Sequence, residues 1–166
     1  MQTRSEFVTL RAATARGEFI AHYSERGLAA LSFPGRGSAG GADRTPPRGV
    51  PSKIDRWHRI TSKVLTEMFA GRDPLVLPPL DLRGTAFQKS VWNALKEIPR
   101  GETKSYRDIA VAIGRPQAVR AVGGACAANP VPILVPCHRV LAATKKLGGF
   151  SAGVEWKRIL LSLEPS

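Results

Sequence analysis

The sequence predicts an α+β protein in two parts: a small antiparallel sheet with one helix, then a mostly helical half. Two observations carry this. Before Pro78-Pro79 the apolar residues alternate in short runs, and beyond it they recur three and four residues apart, the periods of strand and helix. The 166 residues, 43% of them hydrophobic, suit one domain, or one full domain plus a smaller one, and exclude a disordered chain. The division places an N-terminal α/β domain at 1–80 and a C-terminal domain at 81–166.

Phe7-Val8-Thr9-Leu10, Glu18-Phe19-Ile20-Ala21 and Gly27–Phe33 read as the strands. Residues 34–52, rich in Gly, Pro, Ser and Arg, read as a mobile surface loop. Ile54, Trp57, Ile60, Thr61, Val64, Leu65 and Met68 fall at helical spacing, with Gly71 as the stop. In the second half Thr85 can cap a helix carrying Phe87, Val91, Trp92, Leu95 and Ile98, which Pro99-Arg100-Gly101 ends. The next helix starts near Ser105 and holds Tyr106, Ile109, Ala110 and Ile113, up to the break at Gly114-Arg115-Pro116. A third runs from about Gln117 to Ala128 and stops at Asn129-Pro130. Two short helices around a glycine-containing turn make a helix-turn-helix pattern. A final helix carries Trp156, Ile159, Leu160 and Leu163. The three tryptophans sit on apolar stripes and read as core, while His22 and His58 read as surface or helix-face residues.

The third helix is small-sided: Ala118, Ala121, Gly123, Gly124, Ala125, Ala127 and Ala128 share it with Arg120. Glycine costs about 1 kcal/mol against alanine in a helix interior, so two in succession need a reason. One reason is tight helix packing. The other is a surface that enters a groove too narrow for large side chains, which points to the DNA minor groove, about 6 Å wide.

Charge points the same way. Twenty-five Lys and Arg against 13 Asp and Glu give +12, spread over both parts. A small protein this basic most often meets a polyanion; the alternative is a basic solvated surface. Two cysteines cannot build a disulfide framework, and no Cys/His cluster has zinc-site spacing, so no metal is expected. Met1–Glu6 lacks an apolar signal core and no apolar run reaches membrane-spanning length, so the chain reads as cytoplasmic, in a reducing compartment and off the membrane.

The most specific stretch is Pro136-Cys137-His138-Arg139-Val140, after the apolar run Ile133-Leu134-Val135. A thiol is a nucleophile only as thiolate, and a neighbouring imidazole is a common way to make it one. On residues alone such a dipeptide is more often two structural side chains than a reactive pair. Cys126, on the small-sided helix, reads as a small hydrophobe.

Four segments carry a resemblance: Phe87–Trp92, Ile98–Tyr106, Arg120–Ala125 and Asn129–Val140. In order and spacing, the chain from Asp81 to Glu164 resembles the O⁶-alkylguanine-DNA alkyltransferases, the methylated-DNA–protein-cysteine methyltransferases. The first 80 residues resemble that family's variable N-terminal domain only in size and pattern. The resemblance implies a ribonuclease-H-like N-terminal domain and a winged helix-turn-helix in the C-terminal one. It implies stoichiometric, irreversible transfer of the alkyl group from O⁶-alkylguanine to Cys137, with O⁴-methylthymine as a second candidate substrate. His138 would deprotonate Cys137 through a bridging water, because neighbours on an extended strand face opposite ways. Glu164 would hold the histidine, and Tyr106 would give a proton to the departing guanine. Arg120 would fill the space left by an extruded base, with Ala121, Gly123 and Ser105 also toward DNA, and Asn129 would be the hinge. Val140, Phe150 and Ser151 would line the base pocket, Phe150 standing where the family often has tyrosine. No cofactor is implied. The partner is double-stranded DNA, bound as a monomer, with cooperative binding along DNA as the alternative.

Three other functions compete. A non-catalytic relative that only binds alkylated bases would replace the acceptor cysteine, which this chain keeps. A major-groove helix-turn-helix regulator needs an Asn, Gln and Arg display that the third helix lacks. A Cys-His protease needs an oxyanion site and a peptide groove, and nothing in the sequence suggests either. Some members of the family that the chain resembles carry zinc ligands or a second reactive cysteine in the N-terminal half; here Cys126 and Cys137 are the only cysteines, so the resemblance implies neither a structural zinc nor phosphotriester repair.

Overall fold

The computed structural model describes residues 6–35 and 49–165. The first residues, and most of the loop expected over 34–52, lie outside the described residues. The chain forms two compact units, Met1–Leu82 and Arg83–Ser166.

In the first unit β1 (Val8–Thr14), β2 (Gly17–Tyr23) and β3 (Leu28–Ser32) form an antiparallel sheet in the order β1-β2-β3. The period-two pattern fixes which face is buried: Phe19, Ala21 and Tyr23 of β2 are fully enclosed, beside Leu10, Ala12 and Leu31. Helix α1 (Ser52–Phe69) covers that face with Ile54, Val64 and Leu65, and the Phe69 ring lies 5.6 Å from Phe19. Its end is a Schellman turn: Arg72 N–H reaches Glu67 C=O, Gly71 N–H reaches Met68 C=O, and Gly71 takes φ +72°. His58 has a structural role. One ring nitrogen meets the Tyr23 hydroxyl at 3.1 Å and the other the Arg11 carbonyl at 3.0 Å, pinning α1 to the sheet. Trp57 is only half-buried, with the Lys53 ammonium 5.7 Å from its ring.

The second unit holds α2 (Ala86–Lys96), β4 (Lys104–Ser105), α3 (Tyr106–Ala112), α4 (Val119–Ala127), β5 (Val140–Leu141) and α5 (Val154–Ser162). Thr85 with Gln88 and Ser105 with Asp108 form capping boxes at the starts of α2 and α3. The core gathers Val91, Trp92, Leu95, Ile109, Ala110, Val122, Val131 and Leu160. Trp92, the tryptophan that is fully buried, donates its indole N–H to the Ala125 carbonyl at 2.8 Å. That carbonyl lies in the last turn of α4, so the bond fills a helix-end vacancy as well as a core position. Trp156 is half-buried rather than core. β4 and β5 pair in parallel, Lys104 with Val140 and Ser105 with Leu141, which joins the start of α3 to the segment after Cys137.

Candidate active site

Cys137, His138 and Arg139 form a single 3₁₀ turn, not the extended strand the sequence suggests. The preceding backbone explains the difference. Ile133 takes φ +77° and Val135 N–H bonds back to Val131 C=O at 3.0 Å, so the apolar run is coiled tightly before it reaches the cysteine. Asn129 holds that coil. Its side-chain amide donates to the Val135 carbonyl at 2.8 Å, and its carbonyl oxygen accepts Val131 N–H at 3.0 Å. Asn129 also hydrogen-bonds the Cys137 side chain.

His138, the next residue, is 1% exposed, and its Nε2 lies 3.1 Å from Glu164 Oε1. Glu164 also accepts Arg139 Nε–H at 2.9 Å and, through Oε2, Gly101 N–H at 2.6 Å. Burial pushes this carboxyl up, but the bonds from His138, Gly101 and Arg139 outweigh it and hold the group at about 2. Glu164 is therefore ionised at neutral pH, so Nε2 carries the imidazole hydrogen. The lone pair then sits on Nδ1, a buried atom with no hydrogen-bond partner among the described residues. Burial lowers the histidine's own pKa, which keeps it neutral and able to accept a proton there. Arg139 was not among the residues the sequence singled out. It is 8% exposed, and its Nη1 also donates to Ile98 C=O at 2.9 Å.

In front of the cysteine lies a cavity of about 430 Å³ lined by Tyr106, Gly123, Cys126, Ala127, Cys137, Gly149, Phe150 and Ser151. One cavity thus unites residues from α3, α4, the 3₁₀ turn and the loop before α5. Burial raises the Tyr106 phenol, with lesser contributions from Cys126 and Cys137, so the hydroxyl keeps its proton. The Cys137 thiol, 4% exposed, is also raised by burial, which outweighs the Asn129 hydrogen bond and the positive charge of Lys157. Cys137 is therefore a thiol at rest, and a histidine next in sequence does not make it a standing thiolate. Cys126 is pushed up to about 12 by burial.

The other expected residues fall elsewhere. Val140 is not among the cavity-lining residues; it is fully buried and its carbonyl accepts the Lys157 ammonium at 2.7 Å. Ser105 Oγ accepts Asp108 N–H as the cap of α3. Arg120, Ala121, Gly124, Ala127 and Ala128 are exposed along α4. A Cβ built on Gly123 or Gly124 would meet nothing within 4 Å, so tight packing does not account for these glycines. Gly124→Ala should accordingly raise stability by about 0.5–1 kcal/mol in urea unfolding, the intrinsic helix gain, where a packing glycine would give a loss. Among the described residues no cluster of His, Cys, Asp and Glu could hold a metal ion, and no helix is long and apolar enough to cross a membrane.

Residues 86–166 match the family model described as the DNA-binding domain of 6-O-methylguanine DNA methyltransferase. A methylated-DNA–protein-cysteine methyltransferase of Methanosarcina acetivorans is 51% identical over 112 residues, covering 68% of this chain and 72% of that protein. One from Mycobacterium tuberculosis is 54% identical over 102 residues, 61% of this chain and 62% of that one. The crystal structure of M. tuberculosis OGT in complex with DNA superposes with a TM-score of 0.71 at 38% identity, covering 95% of this chain and 91% of that one. By sequence over most of its length, and by fold, this chain belongs to the methylated-DNA–protein-cysteine methyltransferase family, a family of DNA-repair enzymes.

Proposed function

We propose that the protein repairs O⁶-alkylguanine in double-stranded DNA by taking the alkyl group onto Cys137, once per molecule. The observation that carries this is that Cys137 shares a cavity with the Tyr106 hydroxyl, a proton donor, and a single 3₁₀ turn with His138, whose Nδ1 lone pair is a proton acceptor with no partner among the described residues. As the Cys137 proton passes through a water to Nδ1, Sγ attacks the alkyl carbon. The carbon–oxygen bond breaks, Tyr106 protonates the departing guanine, and the proton taken up by His138 returns through solvent to the Tyr106 phenolate once the base has left. Glu164 stabilises the imidazolium that forms. A raised thiol pKa suits this order, since the charge appears only when the electrophile is present.

The alkylated oxygen lies inside the base stack, so the nucleotide must be turned out into the cavity, where Phe150 can stack on it and Ser151 and the backbone near Cys137 can read it. O⁴-methylthymine is a second base for the same cavity. We read α3 and α4 as a helix-turn-helix, the β4–β5 pair as part of its wing, and the N-terminal sheet and helix as ribonuclease-H-like. The small exposed face of α4 suits the minor groove, with Asn129 as the hinge to the active-site turn. The protein acts as a monomer without cofactor in the reducing cytoplasm.

Intact mass after incubation with an O⁶-methylguanine duplex tests the reading: one methyl gained at Cys137, and no second turnover, is expected. Folded, DNA-binding protein that gains no mass would refute it. Arg120→Ala should slow transfer from duplex at least about tenfold while leaving transfer from the free modified base within about twofold. Equal losses on both substrates would remove Arg120 from the extrusion step.

A further inference from the structure

Lys157 takes no part in the mechanism above, yet it is the most unusual charge in the second unit. It lies in the first half of α5 with no exposed surface. Among the described residues its ammonium has one hydrogen-bond partner, the Val140 carbonyl at 2.7 Å, and no carboxylate. A buried cation normally carries a counter-anion. Glu164, at the far end of α5, is committed to His138, Arg139 and Gly101, while Glu155 and Arg158 on the same helix pair with each other in solvent. Helix α5 packs against the 3₁₀ turn, and the groups near enough to Lys157 for their charges to interact with it are Cys126 on α4 and Cys137 and His138 on that turn. Cys126 stays protonated at about 12, and His138 has no negative form to offer.

We propose that Lys157 is the counter-charge of the Cys137 thiolate, a positioning residue that offsets the burial of the sulfur anion as it forms. The proposal rests on Cys137 being the alkyl acceptor. It gives the α5–3₁₀ contact a purpose that the Val140 hydrogen bond alone does not: the carbonyl holds the ammonium in place, and the charge acts on the sulfur three residues earlier. The balance is simple. Before transfer the pair is Lys157 ammonium with a neutral thiol, during transfer ammonium with thiolate, and afterwards ammonium with an uncharged thioether. The spent protein therefore keeps a buried cation that has lost its anion for good.

Three variants separate charge from hydrogen bond. Lys157→Arg keeps both, Lys157→Gln keeps a donor for the Val140 carbonyl without charge, and Lys157→Met keeps neither. In single-turnover transfer followed against pH, the Gln and Met variants should both be about tenfold or more slower at neutral pH and recover as pH rises, with the Arg variant near wild type. A Gln variant with a wild-type profile would reduce Lys157 to an anchor of the carbonyl and overturn the proposal. A second measurement needs no Lys157 variant and no transfer. The ¹³Cε resonance of Lys157 is titrated in wild type and in Cys137→Ser. In the alkaline range where the lysine titrates, the Cys137 thiol ionises too, and its thiolate holds the ammonium's proton, so the Lys157 midpoint should fall in Cys137→Ser; an unmoved midpoint would overturn the proposal even if methyl uptake proceeds as expected.

Discussion

Cys137→Ser should take up no methyl group from an O⁶-methylguanine duplex and still bind it. The substitution changes one atom in a site 4% exposed, and the serine hydroxyl can keep the hydrogen bond to Asn129, so stability should stay within about 1 kcal/mol of wild type. The chemistry changes far more. A hydroxyl is a much weaker acid than a thiol, and His138, kept neutral by burial, cannot draw its proton at a useful rate. A loss of at least about 4 kcal/mol in transition-state stabilisation, a thousandfold or more in rate, follows. Cys126 is the control. It lines the same cavity, but at about 12 its thiol yields almost no thiolate, so Cys126→Ala should keep transfer near the wild-type rate. Intact mass with peptide mapping decides. A methyl on Cys126 in the Cys137→Ser protein, or loss of uptake in Cys126→Ala alone, would reassign the acceptor.

What the sequence made legible follows from how local the signal is. The helices of the second unit were readable because their starts are written in neighbouring residues: Thr85 with Gln88, Ser105 with Asp108. Gly71 marked the end of α1 because a left-handed residue there is nearly always glycine. The conformation of Cys137 was not legible. Val131-Pro132-Ile133-Leu134-Val135 has a strand's composition, and what coils it is Asn129, whose two hydrogen bonds are tertiary facts about a side chain six residues upstream of Val135. Arg139 and Lys157 were missed for a related reason. A basic residue beside a histidine or on an amphipathic helix reads as solvated surface, and only the packing of α5 against the 3₁₀ turn puts both out of water. The glycines of α4 remained ambiguous between packing and access until the space around them was visible.

Glu164→Gln should be the most destabilising conservative substitution in the second unit. The carboxylate joins three groups that are distant in sequence: His138 and Arg139 through Oε1 and the Gly101 N–H through Oε2. Glutamine has one acceptor oxygen where three donors converge, and its amide would face a donor. Arg139, 8% exposed, would become a buried cation without an anion, and breaking such a pair costs about 3–5 kcal/mol. The pH dependence has a definite sign. The carboxyl sits at about 2 in the fold against 4.5 for the free group, so its contribution is complete above 4.5 and disappears as pH falls toward 2. That shift corresponds to roughly 3 kcal/mol. His138 acts on the same side. Its folded pKa lies below 6.5, so the unfolded chain takes up the proton first and stability drops as pH falls through that region. Urea unfolding from pH 7 to pH 3 should therefore show wild type losing stability steadily. Glu164→Gln should be weakest relative to wild type at pH 7 and draw closer as the wild-type carboxylate protonates. Transfer should slow as well, because without the carboxylate the proton is free to move to Nδ1 and the base loses its lone pair on the side of Cys137. A gap between the two proteins that stays constant with pH would mean that Glu164 contributes through packing alone, and the assignment of the Nε2–H tautomer would fall with it.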